Sequence, residues 1–337
     1  MSQARANVAL RPESFFVVIV MSDLPRLYAP AQEQPMVGIS EIGDWRLPDT
    51  TFLNIFQLPA KGKDGPLAIA NPIPREGRIT FDEQKHEYSI DGKIAPRSVT
   101  GLLHAYAPSF EPTRVILNMR ASPRWDLHRE QFEAAGIESQ RDEAIIAHWR
   151  LNGEIARARG TLLHYHAEQI ANGRTVERPH SPELVQAIRI LQELDERGWT
   201  PYRTEVNIFH CGLKCAGQPD LLCRNDKGHV LILDWKRTAK LNFDTSSAAF
   251  DYPLSHLPAT SYWQYALQCN TYRFMLESEY GFTVDSMWLG VVHPALTVPR
   301  LIEVPRLTQE IEDLLQYEIE CGRASVSADL HAEFHSA

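Results

Sequence analysis

An excess of positive charge is missing from this sequence. Its 34 lysines and arginines face 43 aspartates and glutamates, giving a formal net charge of −9. The chain therefore lacks the overall basic character that marks many nucleic-acid binders. A local basic track stays open, because phosphate contacts depend on where cations cluster and not on the total. Long apolar runs are missing too. "FFVVIVM", Phe15 to Met21, is seven residues long, far short of the ~20 needed to cross a bilayer as a helix, and it reads as a buried strand. Cysteine is sparse and odd in number: Cys211, Cys215, Cys223, Cys269 and Cys321. That pattern argues against a secreted disulfide scaffold and for a reducing, intracellular compartment, whether cytoplasm, nucleus or organelle. Cys211, Cys215 and Cys223 form no CxxC pair, so they read as small strand hydrophobes and not as a structural metal site. Repeats and low-complexity tracts are absent.

What remains is the composition of an ordinary globular protein, 337 residues long and 44% hydrophobic. Arg5 and Arg11, with no acid in the first twelve residues, fit the pattern of an organelle transit segment, mitochondrial targeting included. Residues 1–75 are rich in proline and lack sustained periodicity, and they are expected to form an appendage. Arg78 to Pro108 predicts a hairpin turning at Asp91-Gly92, then a short helix capped near Ser98; residues 76–125 thus lead into the core. From Trp125 to Gly173 the pattern is helical, with Ile145, Ile146 and Trp149 at helical spacing, and Gly160-Thr161 reads as a helix entry. Pro182 to Gly198 predicts another helix, Thr200 to Lys236 a set of strands, Ser261 to Tyr280 a helix and Met287 to His293 a strand. Thr308 to Ile319 aligns Ile311, Leu314, Leu315 and Ile319 on one face of an amphipathic helix. This order predicts an α/β core with a mixed sheet over residues 126–305, followed by a C-terminal helix and tail over 306–337.

One stretch asks for chemistry: "GQPDLLCRNDKGHVLILDWKRT", Gly217 to Thr238. Leu231 to Lys236 reads as a strand, so side chains two apart share a face. Leu231, Leu233 and Trp235 point one way; Ile232, Asp234 and Lys236 point the other. The polar "RNDKGH" reads as a hairpin turn that folds Leu221-Leu222-Cys223 back beside that strand. Asp220 and Asp234 then lie near the same end of two paired strands, with Lys236 beside them. Two acids and a lysine in a buried hairpin are costly without a purpose. A divalent cation such as magnesium or manganese would relieve the repulsion between the carboxylates. The alternative is a surface hairpin with a solvated aspartate and a salt bridge.

Other segments carry polar groups in order around this hairpin. In "RARGTLLHYHAEQIANG", His164 and Glu168 are four apart and share a helix face, whereas His166 faces elsewhere. "YRTEVNIFHCG" places Glu205 inside an alternating strand, as either a paired edge charge or a third site acid. "YWQYALQCNTYRFMLESEYG" places Gln268 and Tyr272 four apart on one helix face.

Read together as G-T-x-x-H-x-x-x-E, then E, G-x-x-D, D-x-K and Q-x-x-x-Y, the chain resembles the RecB-type exonuclease branch of the PD-(D/E)XK nuclease superfamily. That branch includes phage exonucleases and the mitochondrial genome maintenance exonuclease family. The resemblance spans roughly Arg78 to Pro294. It implies a restriction-endonuclease-like core with a central mixed sheet flanked by helices. It implies that Asp220 and Asp234 ligate Mg2+ or Mn2+, that His164 is the further metal ligand of this branch, and that the backbone carbonyl of Trp235 completes a shell. Lys236 is implied to orient or deprotonate the attacking water, Gln268 and Tyr272 to position the lysine or the strand being cut, and Glu168 and Glu205 to act as accessory acids. Asp234 stands at the position that takes Asp or Glu. The dispersed four-cysteine set of the iron–sulfur members is absent, so no cluster is expected.

The implied function is metal-dependent hydrolysis of DNA, with an exonuclease acting on single strands or on ends ahead of a site-specific endonuclease. A catalytically silent module that binds nucleic acid or a protein partner is the alternative from another class. DNA is the expected partner and a membrane is not. Arg157, Arg159, Lys214, Arg237, Lys240 and Arg273 are candidates to follow the DNA backbone. Residues 78–150 are expected to wall the site, with Arg114, Arg120, Arg124 and Arg129 available to line a passage and Tyr106, Phe110 and Trp125 available to stack on bases. The alternative, expected of at least one of these aromatics, is that it only packs the wall onto the sheet.

Overall fold

The computed structural model describes residues 65–324, except 84, 138–140, 175, 177–180 and 245–247. The expected strand at Phe15 to Met21 lies outside the described residues, as does the tail from 325 onward.

The chain enters through a short helix, α1 (Pro66–Ala70), and a 3-10 turn over Pro74–Arg78. Strands β1 (Ile79–Asp82), β2 (Glu87–Ile90) and β3 (Lys93–Ile94) then form an antiparallel meander. The expected turn at Asp91-Gly92 joins β2 to β3, and both residues take the left-handed backbone that such a turn demands (φ 49° and 77°). After β4 (Arg97–Ser98) comes α2 (Val99–His104), where Ser98 Oγ accepts the Gly101 N–H at 3.0 Å. That is the N-cap read from the sequence.

Three helices follow: α3 (Pro112–Ala121), α4 (Trp125–Ala134) and α5 (Asp142–Ala171). Ile116, Phe132, Ile137 and Ile145 hold them together as a separate small core. The helical pattern from Trp125 to Gly173 is thus two helices, parted at Gly136 with φ 78°. Gly160 and Thr161 lie inside α5 and do not begin a helix. Thr161 Oγ1 donates to the Arg157 carbonyl one turn back at 3.1 Å, so the hydroxyl is satisfied within the helix instead of capping it. A mid-helix glycine costs about 1 kcal/mol relative to alanine, which a 30-residue helix packed along the sheet absorbs.

The remaining elements are α6 (Pro182–Glu196), β5 (Thr200–Thr204), β6 (Ile208–His210), β7 (Cys215–Gly217), β8 (Leu221–Arg224), β9 (Val230–Arg237), α7 (Ser261–Tyr280), β10 (Val284–Val292), β11 (Arg300–Glu303) and α8 (Thr308–Glu320). The central sheet runs β11-β10-β9-β8-β5. β9 and β10 are parallel and joined through α7, while the other neighbours are antiparallel. A parallel pair needs such a crossover, and a tight turn cannot supply it. The expected mixed sheet flanked by helices is present.

Strand alternation divides the core in two. Leu231, Leu233 and Trp235 of β9 pack with Leu163 and Ala167 of α5 and with Ile190 and Leu194 of α6. Val230 and Ile232 face the opposite layer, with Leu267 and Met275 of α7 and Ile311 and Leu314 of α8. Each fully buried leucine or isoleucine contributes roughly 1.5–3 kcal/mol, so both layers fix the register of β9. The stretch before β1 is tied to β5: fully buried Arg203 donates to the Asn71 carbonyl at 3.0 Å and pairs with Glu76 at 2.5 Å. Among the described residues no helix is long and apolar enough to cross a membrane.

Candidate active site

The β8–β9 hairpin pairs Leu221 with Leu233, which brings Asp220, just ahead of β8, beside the Asp234–Lys236 end of β9. Asp220 Oδ2 accepts the Trp235 N–H at 2.6 Å. Asp234 and Lys236 share a face as strand geometry requires, with Lys236 Nζ 2.6 Å from Asp234 Oδ2. Both carboxylates are buried, at 8% and 2% exposure, which places them well away from bulk water.

Helix α7 completes the lysine's surroundings. Lys236 Nζ donates to Gln268 Oε1 at 3.3 Å, and Gln268 Nε2 donates to Tyr272 Oη at 3.0 Å. The ammonium also sits 4.2 Å from the centroid of the Tyr265 ring, a cation–π contact. Gly217 makes room for Tyr272: a Cβ there would stand 2.5 Å from Tyr272 Cε1.

Helix α5 and the end of β5 bring the third part. His164 Nδ1 lies 3.2 Å from Asp220 Oδ1 and 3.7 Å from Glu205 Oε1. Donor atoms of His164, Glu205 and Asp220 all lie within 4.8 Å of one another. Glu205 is not inside a strand, as its alternating context suggested. β5 ends at Thr204, and Glu205 turns through the left-handed region with φ 46°. Its N–H donates to the Asp220 carbonyl at 3.0 Å, and its carbonyl accepts from Gln218 Nε2 at 3.0 Å. Those bonds hold a conformation that non-glycine residues seldom adopt, and they place the carboxylate next to Asp220.

Electrostatics follow from burial and charge. Burial alone would lower the pKa of His164, but Asp220 and Glu205 more than offset it and raise it to about 10. Burial acts to raise Asp220, yet His164, Lys236 and the Trp235 N–H bring it below its ordinary value. Asp234 goes the other way: burial pushes it up to about 6 against the pull of Lys236, helped by the negative charge of Asp220. The Lys236 ammonium is raised despite burial, by Asp234 and Asp220. Three clustered acids meet one lysine and one histidine. An imidazole and two carboxylates are donors suited to a divalent cation, which would offset the surplus negative charge.

The remaining candidates divide. Glu168 is buried one turn beyond His164 on α5 but lies outside the three-donor group. His166 is half-buried beside Tyr165 and also outside it. The Trp235 ring packs into the apolar layer with Leu233, and the backbone N–H of Trp235 donates to Asp220. Arg237 and Arg273 are not open to a phosphate backbone: they pair with Glu183 at 2.8 Å and with Glu277 at 3.2 Å. Arg157, Lys214 and Lys240 are exposed, and Arg159 is half-buried.

Along the helical wall, Arg120 pairs with Asp142 at 2.6 Å, and Arg129 pairs with Asp126 and Glu133, while Arg114 and Arg124 are exposed. Phe110 is exposed, 6.0 Å from Trp149, and Trp125 is half-buried against Phe132. Tyr106 cannot stack on bases. It is buried in the α7–α8 layer, where its hydroxyl bonds the Glu318 carboxylate and accepts from Arg323 at 3.2 Å. The apolar spacing of Leu102, Leu103 and Tyr106 in the sequence was the sign of that burial.

Two groups near the site were not singled out from sequence. Tyr265 is three residues before Gln268, one helical turn away, and that spacing was the available signal. Tyr88 of β2 is buried, and its phenol is pushed up by burial and by the charges of Glu205 and Asp220. No sequence pattern marks that approach, because the meander reaches the site only through tertiary packing.

No protein-family model matches the chain, and no curated protein matches it. Among solved structures it is similar to SSO0001, at 13% identity over 70% of this chain and 88% of that one, with a TM-score of 0.25. It is also similar to a Eubacterium rectale protein provisionally named an exonuclease, at 13% identity over 58% of this chain and 74% of that one, with a TM-score of 0.26. Likenesses of that degree decide neither fold family nor activity.

Proposed function

We propose that this protein is a metal-dependent nuclease that hydrolyses phosphodiester bonds in DNA, acting as an exonuclease on single strands or on ends. The core is read as a RecB-type PD-(D/E)XK core. The observation that carries the proposal is the convergence of His164, Glu205 and Asp220 donors within 4.8 Å, next to the buried Asp234–Lys236 pair. A silent module has no use for a lysine and four charged or ligating groups held out of water at this cost.

In this reading His164, Glu205 and Asp220 hold Mg2+ or Mn2+, with Asp234 adjoining. The ion supplies Lewis-acid polarisation of the phosphate and a bound water of lowered pKa. The protein's own groups do the rest. Asp220 is locked by the Trp235 N–H, which leaves Oδ1 directed toward His164. Lys236 provides a fixed positive charge for the oxygens that gain charge as the bond breaks. Asp234, Gln268 and the Tyr265 ring hold that ammonium in place, so little reorganisation is needed at the moment of reaction. Tyr272 holds Gln268 in turn.

The test is digestion of end-labelled linear and covalently closed single-stranded DNA with added magnesium or manganese. Degradation of the linear strand with survival of the circle is expected. Equal nicking of both moves the protein to the endonuclease class, and no cleavage of either overturns the proposal.

A further inference from the structure

Aromatic residues gather on the first turns of α7, near Lys236. Tyr265 lies against the ammonium at 4.2 Å. Tyr262, three residues earlier on α7, is its neighbour on the helix surface. The Tyr262 ring is stacked by Phe243 at 4.4 Å with a 36° tilt, and Trp263 meets Tyr262 edge-on at 5.3 Å. Phe243 is 48% exposed, while Tyr262 against it is buried.

The exposed ring is held and not loose. Asn242 N–H donates to Ser261 Oγ at 3.1 Å, and Tyr262 N–H donates back to the Asn242 carbonyl at 3.3 Å. These bonds pin the residue before Phe243 to the first turn of α7. A ring with a fixed backbone on one side and a stacked partner beneath presents one apolar face at small entropic cost. Single exposed aromatics are ordinary on protein surfaces. This one differs in standing against Tyr262, one helical turn from the Tyr265 ring that lies on the candidate catalytic lysine, with exposed Lys240 three residues before it.

We infer that Phe243 is a stacking platform for a nucleobase of a single-stranded substrate whose phosphate lies at Lys236. The inference rests on the nuclease reading of the same site and adds a recognition element to it. A planar base matches the ring face, and Lys240 offers a cation to an adjacent phosphate. Stacking of this kind is tolerant of sequence because every base has a π-face.

The test uses fluorescence anisotropy of the full-length protein in calcium with two labelled probes, an oligothymidylate and an abasic strand of equal length. Phe243→Ala is expected to weaken thymidylate binding roughly tenfold and to leave abasic binding unchanged. Phe243→Trp is expected to retain wild-type binding of both. The platform is overturned if Phe243→Ala binds thymidylate like the wild type, or if it loses equal affinity for both strands. In either case a wild type that still cleaves linear DNA leaves the nuclease proposal standing. A wild type that neither binds nor cleaves overturns both.

Discussion

His164 Nδ1 and Asp220 Oδ1 lie 3.2 Å apart, one carried by the long helix α5 and the other by the residue just ahead of β8. Without a cation this contact is an ion pair, because the acids hold the imidazole protonated up to about pH 10. A bound metal ion must displace that proton. His164→Ala is therefore expected to lower manganese affinity at least ~10-fold, and Glu205→Ala and Asp220→Ala to do the same with cleavage lost. His166→Ala should leave affinity unchanged, since its ring lies outside the donor group. Calorimetric titration with Mn2+ checks this; equal losses from His164→Ala and His166→Ala would contradict the assignment.

In the proposed mechanism Lys236 is a charge donor and not a ligand. Lys236→Ala is expected to reduce turnover by about 10²–10³ with manganese affinity retained. Asp234→Ala should also abolish cleavage. In addition it leaves a buried ammonium without its 2.6 Å partner, so a stability loss of about 3 kcal/mol is expected. Denaturant unfolding of the two variants, alongside metal titration, separates the roles.

Gly217→Ala probes the lysine's support from a distance. The added Cβ meets Tyr272 Cε1 at 2.5 Å and Val99 Cγ2 at 3.0 Å, so Tyr272 must move and take Gln268 with it. Overpacking of this sort costs about 1–3 kcal/mol. Turnover should fall further than in Tyr272→Phe, which keeps the ring and removes only the hydroxyl. A fully active Gly217→Ala protein would show that the Tyr272–Gln268–Lys236 chain is dispensable.

How much of this was legible in the sequence depends on which contacts are local. The hairpin was readable because a period of two puts Asp234 and Lys236 on one face whatever lies around them. The limits of α7 were readable too, because Gly281 ends it with φ 68°. The strand placement of Glu205 failed because β5 ends at Thr204 and the chain makes a left-handed turn there, held by bonds to Asp220 and Gln218 that local alternation does not encode. Which of Tyr106, Phe110 and Trp125 packs instead of stacking was not legible, because that is decided by what covers the ring, here Glu318 and Arg323 of the C-terminal region over Tyr106. The rule for Gly160 failed because a glycine–threonine pair looks the same inside a long helix as at its start.

His210 gives a pH test of stability apart from the candidate site. Burial, with Arg75 nearby, depresses its pKa to about 4, and its Nδ1 accepts the Leu213 N–H at 3.0 Å. The unfolded chain binds a proton near pH 6.5 and the folded one does not. Stability from this group is therefore present above that pH and is lost as the pH falls toward 4. The loss amounts to about 3 kcal/mol. Denaturant unfolding at pH 7.5 and pH 4.5 should show a larger drop for the wild type than for His210→Gln. An identical drop would mean that His210 titrates normally in the fold.

The alternation of β9 sets a rule for length changes. Its odd positions fill one apolar layer and its even positions face the other and the candidate site, so side-chain role is a matter of parity. Removing one residue from the turn between Arg224 and Val230 shortens a solvent-facing loop, and most loops tolerate that. Here a one-residue slip of β9 against β8 would send Trp235 toward the carboxylates and Asp234 into the layer of Leu163 and Ile190. Changes to this turn should therefore be accepted in twos, and single deletions that no bulge absorbs should fail, although the turn itself touches nothing in the site.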